Sequence, residues 1–138
     1  MNALTRSAML AEYQSVAIHG GIAAADPQRL ILMLLDGALE RVAQGRGFME
    51  RGLIADKGRV LGRAIALLQE LRASLDTAAG GQIAGNLDAL YDYCCRQLLT
   101  ANADNNPQAL ELVSTLLQEI RSAWVQLPAL ARQVVPAP

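Results

Sequence analysis

The side chains that most often carry catalysis or hold a metal are sparse in this chain: a single histidine, His19, two cysteines at Cys94 and Cys95, and acidic pairs such as Asp88 and Asp92. A nucleophile needs a base held in fixed geometry, and His19 stands beside Gly20-Gly21, where nothing anchors its ring. Cys94 and Cys95 are neighbours, and neighbours on a helix point about 100° apart, which suits neither a disulfide between them nor the spacing of metal ligands. They read as free thiols, one in a helical core and one at its edge, in keeping with a reducing compartment. Asp88 and Asp92 are one helical turn apart and flank Tyr91 and Tyr93, the pattern of a solvated helix face. A dimetal centre in a bundle would want inward Glu-x-x-His pairs, and Gly80-Gly81 lacks the rest of a phosphate-cradling loop. The sequence therefore argues against an enzyme and implies no cofactor and no metal.

The elements around these residues are helical. At 138 residues, 52% apolar and only 4% aromatic, the chain suits a single domain of helices packed on helices. A net charge of −1 with both signs interspersed supplies no basic stripe for phosphates, which excludes nucleic acid as the expected partner. Glu12 interrupts the early apolar residues before they reach signal-peptide length, and no stretch approaches the roughly 20 apolar residues that span a bilayer. The expectation is a cytoplasmic protein without membrane insertion.

Leu30-Ile31-Leu32-Met33-Leu34-Leu35 is the longest informative run. Asp26 is a good N-cap and Pro27 fits the first helical position, so a helix is expected from Pro27 to about Met49. Six apolar residues in a row cover its whole circumference, which demands neighbours on several sides or a face awaiting a partner. A second helix, near Asp56 to Leu75, carries Leu61, Ala64, Ile65, Leu68, Leu71 and Leu75 at spacings of three and four. Gly80-Gly81 breaks the chain, and a third helix over about Gln82 to Ala103 is expected to turn Ile83, Leu87, Leu90, Cys94 and Leu98 inward, with Tyr91, Cys95 and Leu99 widening the stripe. Asn106-Pro107 starts a fourth helix that uses Leu112, Val113, Leu116, Ile120, Ala123 and Trp124 and stops before Pro128. The expected fold is an all-α, antiparallel up-down four-helix bundle over residues 26–128. Residues 1–25 are expected to form a mobile N-terminal segment with a short helical, amphipathic stretch, and 129–138 a flexible tail. Leu10 and Tyr13, three apart, share a face of that stretch and suit either a helix closing the bundle or a detachable plug over an apolar groove.

Four blocks, PQRLILMLLDGAL (27–39), LRASLD (71–76), GGQIAGNLDALYDYCCRQLLTAN (80–102) and IRSAW (120–124), resemble the flagellin export chaperones of the FliS family, in order and over roughly residues 10 to 127. The resemblance implies a cytoplasmic bundle that binds the disordered C-terminal segment of flagellin, prevents premature polymerisation and helps present it to the flagellar type III export gate; a monomer or weak homodimer is expected. The chain departs from the family pattern at Leu35, where tyrosine is common, and at Cys94-Cys95, where bulky apolar residues are. Tyr13 matches the family's N-terminal tyrosine, so Leu10 and Tyr13 become candidates for a cap that rests on the client groove and leaves when flagellin arrives. The apolar groove wall is expected to use Leu32 and Leu35 of the first helix and Tyr91 and Leu98 of the third. The alternative is a regulatory bundle that binds another secretion or transcription partner through the same groove.

Overall fold

The computed structural model of the chain describes residues 27–126. They form four α-helices, α1 (Pro27–Glu50), α2 (Ile54–Ala73), α3 (Thr77–Asp104) and α4 (Pro107–Gln126), and no strand occurs among the described residues. The short turns between them reverse the chain each time. Helix α1 packs on α2 and α4, and α3 packs on the same two, so the helices close a ring in up-down order, as expected. The N-terminal segment with Leu10 and Tyr13, the pair Gly20-Gly21 and the tail beyond Gln126 lie outside the described residues.

Local chemistry explains where the helices start and stop. Asp76 caps α3 by accepting a hydrogen bond from the Ala79 amide at 3.0 Å. One helical turn follows, and the main body of α3 begins after a break at Gly81, whose φ of 53° and ψ of −129° lie where only glycine is at ease. The expected break thus sits inside α3, which starts five residues earlier than Gln82. At the other end Asn105 adopts the left-handed conformation, φ 51°, a role in which asparagine is the usual substitute for glycine. Asn106 then caps α4, its Oδ1 accepting from the amides of Gln108 and Ala109 at 3.0 and 3.4 Å.

The core joins Ile31, Leu34 and Leu35 of α1 to Leu61, Leu68 and Leu71 of α2, Leu98 of α3, and Leu110 and Leu117 of α4. The apolar run of α1 therefore divides: Ile31, Leu34 and Leu35 are buried, whereas Leu30, Leu32 and Met33 are only partly so. Gly45, which weakens α1 as an isolated helix, is where α1 and α2 meet: an added Cβ would stand 2.5 Å from Leu61 Cδ2.

The inward face of α3 differs from the expected one. Ala84, Tyr91, Cys94, Cys95, Leu98 and Ala101 are buried, while Ile83 and Leu90 are 40% and 37% exposed and Leu99 is more so. Ile83 and Leu90 flank one side of the stripe, and Ile83 shares its row with the buried Ala101 five turns further on, so periodicity within α3 does not separate the exposed from the buried positions. In α4, Leu112 and Ala123 likewise turn outward. Asp88 and Asp92 do more than face water: both pair with Arg72 of α2, at 2.9 and 3.2 Å, and Arg96 joins Asp92 at 3.1 Å.

Candidate protein-binding surface

Side-chain bonds between helices fix which edge of each helix faces which neighbour. Asp88 and Asp92 meet Arg72, Gln69 Nε2 lies 3.8 Å from Cys95 Sγ, and Lys57 donates to the Asn102 carbonyl; these mark the edge of α3 toward α2. At about 100° per residue, Ile83, Leu87 and Leu90 fall on the opposite edge, toward α4. Arg121 pairs with Asp36, and Trp124 Nε1 donates to the Gln28 carbonyl at 3.2 Å, so that edge of α4 faces α1. Leu112, Leu116 and Ile120 lie on the side toward α3.

Two apolar rows therefore border the α3–α4 seam. Ile83, Leu90 and Leu112, at 40%, 37% and 39%, are exposed, and Leu87, Leu116 and Ile120 are partly buried against the core. The tight turn between α3 and α4 sets an antiparallel register in which Leu90 is level with the last turns of α4 and Leu112 with the second half of α3. The rows therefore continue one another along about 24 Å of seam, at 1.5 Å per residue. This arrangement suits capture of an apolar helix face or extended peptide.

The structure places the residues expected at the groove differently. Leu35, Tyr91 and Leu98 belong to one core cluster and are 0%, 2% and 0% exposed, so in this state none of them presents an open wall. Burial pushes the Tyr91 phenol above its ordinary pKa, and the neighbouring Cys94 thiol adds to it. Leu32 stays partly exposed. It occupies the same row of α1 as Gln28 and Asp36, one turn from each, and so sits between the two points at which α4 is clasped. Ile83, Leu90 and Leu112 were missed as surface residues because periodicity assigned them to the core. No signal within α3 separates Ile83 and Leu90 from the core, since Ile83 lies on the same row as the buried Ala101, five turns away.

Cys94 and Cys95 are free and buried. Burial pushes both thiols up to about 11, with Arg72 partly offsetting the rise for Cys95. Among the described residues no group of three or more His, Cys, Asp or Glu side chains is placed to hold a metal ion, and no helix is long and apolar enough to cross a membrane.

Comparison with known proteins agrees with the motif blocks. A family described as flagellar protein FliS matches residues 9–131. The chain is similar to the flagellar secretion chaperone FliSB of Pseudomonas aeruginosa, 47% identical over 113 residues that make up 82% of this chain and 90% of the relative. It is also similar to the flagellar secretion chaperones FliS of Vibrio cholerae, 42% identical over 86% of this chain and 88% of the relative, and of Salmonella typhimurium, 43% identical over 83% and 86%.

Proposed function

The chain belongs to the FliS family of flagellar proteins, and on that premise we propose that it is a cytoplasmic, non-enzymatic export chaperone that binds the disordered C-terminal segment of flagellin, prevents premature polymerisation and aids delivery to the flagellar type III export gate. The single observation in the fold that best supports a client-binding role is the apolar strip along the α3–α4 seam. A disordered client pays ordering entropy when it binds, and apolar surface covered on both partners offsets that cost. Tyr91 and Leu98 contribute as the packed floor beneath the strip, Leu35 as part of the same core, and Leu32 as an apolar contact at the α1–α4 seam. Leu10 and Tyr13 act as a removable cap on the client surface.

Calorimetric titration of a flagellin C-terminal peptide tests this reading. Fully burying a large aliphatic side chain is worth about 1.5–3 kcal/mol, so at roughly 40% exposure each of Ile83, Leu90 and Leu112 has about 1 kcal/mol left to gain. The triple substitution to Ser is expected to weaken binding by about 100-fold. Undiminished affinity in the folded triple variant would remove the strip as the client surface, and absence of binding by the unaltered protein would remove flagellin as the client.

A further inference from the structure

A pocket of about 340 Å³ opens at one end of the bundle, where α1 ends, α2 and α4 begin and α3 is capped. Its apolar walls are Phe48, Met49, Leu53, Ile54 and Pro107, and Lys57 is the cation among them. It lies at the far end of α1 and α4 from the Trp124–Gln28 clasp. Nothing in the α3–α4 strip accounts for it.

Two observations define what it would hold. Lys57 is only 3% exposed, yet its Nζ donates to two neutral acceptors, the Asn102 carbonyl at 2.9 Å and Asn105 Oδ1. An ammonium carries three donors, so one remains beyond these two bonds among the described residues. Among the described residues of the pocket wall the one carboxylate, Glu50, is engaged by Arg46 at 3.3 Å. At the rim, Ile54 is 71% and Leu53 40% exposed, a large apolar surface for a helix start. A cation in a partly dry, apolar site favours an opposite charge far more than a cation in water does.

We propose that this pocket binds a short acidic segment of a protein partner, with one Glu or Asp carboxylate directed to Lys57 and the flanking apolar residues covering Leu53 and Ile54. The charge supplies selectivity and the rim supplies area. The site is separate from the strip and does not depend on which client the strip takes.

The test is a titration of the full chain with the capped tripeptide acetyl-Leu-Glu-Leu-amide and its Gln counterpart, followed by amide chemical shifts. Shifts are expected at Phe48 to Lys57 and Asn105 to Pro107, with the Glu peptide about tenfold tighter, since the carboxylate adds opposite charge to a hydrogen bond that the Gln amide makes as a neutral acceptor. Lys57→Met is expected to erase the difference between the peptides. Ile54→Ser, at an exposed position, is expected to weaken both about threefold while leaving the fold intact, by loss of part of a buried aliphatic contact, and this variant decides the matter if Lys57→Met does not fold. Equal affinity for the two peptides, or shifts confined to other parts of the bundle, would overturn the proposal.

Discussion

Replacing Gly45 by alanine puts the packing of α1 on α2 to a direct test. The new Cβ would stand 2.5 Å from Leu61 Cδ2 and 2.9 Å from Leu61 Cγ. Leu61 is 1% exposed, so it cannot swing into water; either it adopts a poorer rotamer within the core or the two helices part. Overpacking of this kind costs about 1–3 kcal/mol. Against it stands the helix-propensity gain of alanine over glycine, about 1 kcal/mol. The net expectation is a loss of roughly 1 kcal/mol, near 3–6 °C in the unfolding midpoint for a chain of this size. Gly62 supplies the control: it is exposed, lies inside α2, and has nothing within 4 Å of an added Cβ, so Gly62→Ala is expected to gain up to about 1 kcal/mol. Thermal and urea unfolding followed by circular dichroism measure both. If Gly45→Ala raises the midpoint as Gly62→Ala does, the close approach of α1 and α2 is not what requires glycine.

The other expectations concern the helix ends and the thiols. Gly81→Ala meets no neighbouring atom, but φ 53° with ψ −129° is a backbone conformation that side chains rarely adopt and is expected to cost about 1–3 kcal/mol; unchanged urea stability would show that the break in α3 can be moved at no cost. Asn106→Ala removes the acceptor for two α4 amides and is expected to cost about 1 kcal/mol by the same assay. Cys94 and Cys95 are expected to resist a thiol reagent at pH 8 until denaturant unfolds the chain, and rapid labelling of the folded protein would contradict their burial. Their pKa is raised on folding to about 11 from 9.0, so above pH 9 the unfolded state releases protons that the folded state keeps. Stability is therefore expected to be complete below pH 9 and to fall between pH 9 and 11, with a shallower decline in a Cys94→Ala variant.

What the sequence made legible was mostly local. Pro27 as a first helical residue, Asn106 as a cap before Pro107, and a break at Gly80-Gly81 are decided by a few neighbouring atoms, and the helices begin or break there. In α2 the stripe Leu61, Ala64, Leu68 and Leu71 is buried as periodicity predicts, because bulky residues dominate that face. In α3 the same reasoning misplaced Ile83 and Leu90, which stand at the edge of the buried stripe, where burial is set by how the neighbouring helix packs and not by the pattern along α3. The pairing of Arg72 with Asp88 and Asp92 joins two helices. No reading of one helix at a time can find a partner on another. Gly45 shows the same limit, as its value depends on Leu61, sixteen residues away.

Leu35 gains a different meaning from its burial. The family resemblance leads one to expect tyrosine at this position, and a surface location would make its replacement a lost polar anchor for the client. Here the position is fully buried within the core, where a phenol would bring a hydroxyl that must find a hydrogen-bond partner, while leucine brings no such demand. Cys94 and Cys95, at 0% and 4% exposure, stand on the same footing, being small and neutral in the core. These departures therefore act first on packing and stability. On the proposed function, client recognition is assigned to exposed side chains that line one seam, Ile83, Leu90 and Leu112, because a partner can cover exposed apolar area without first opening the bundle.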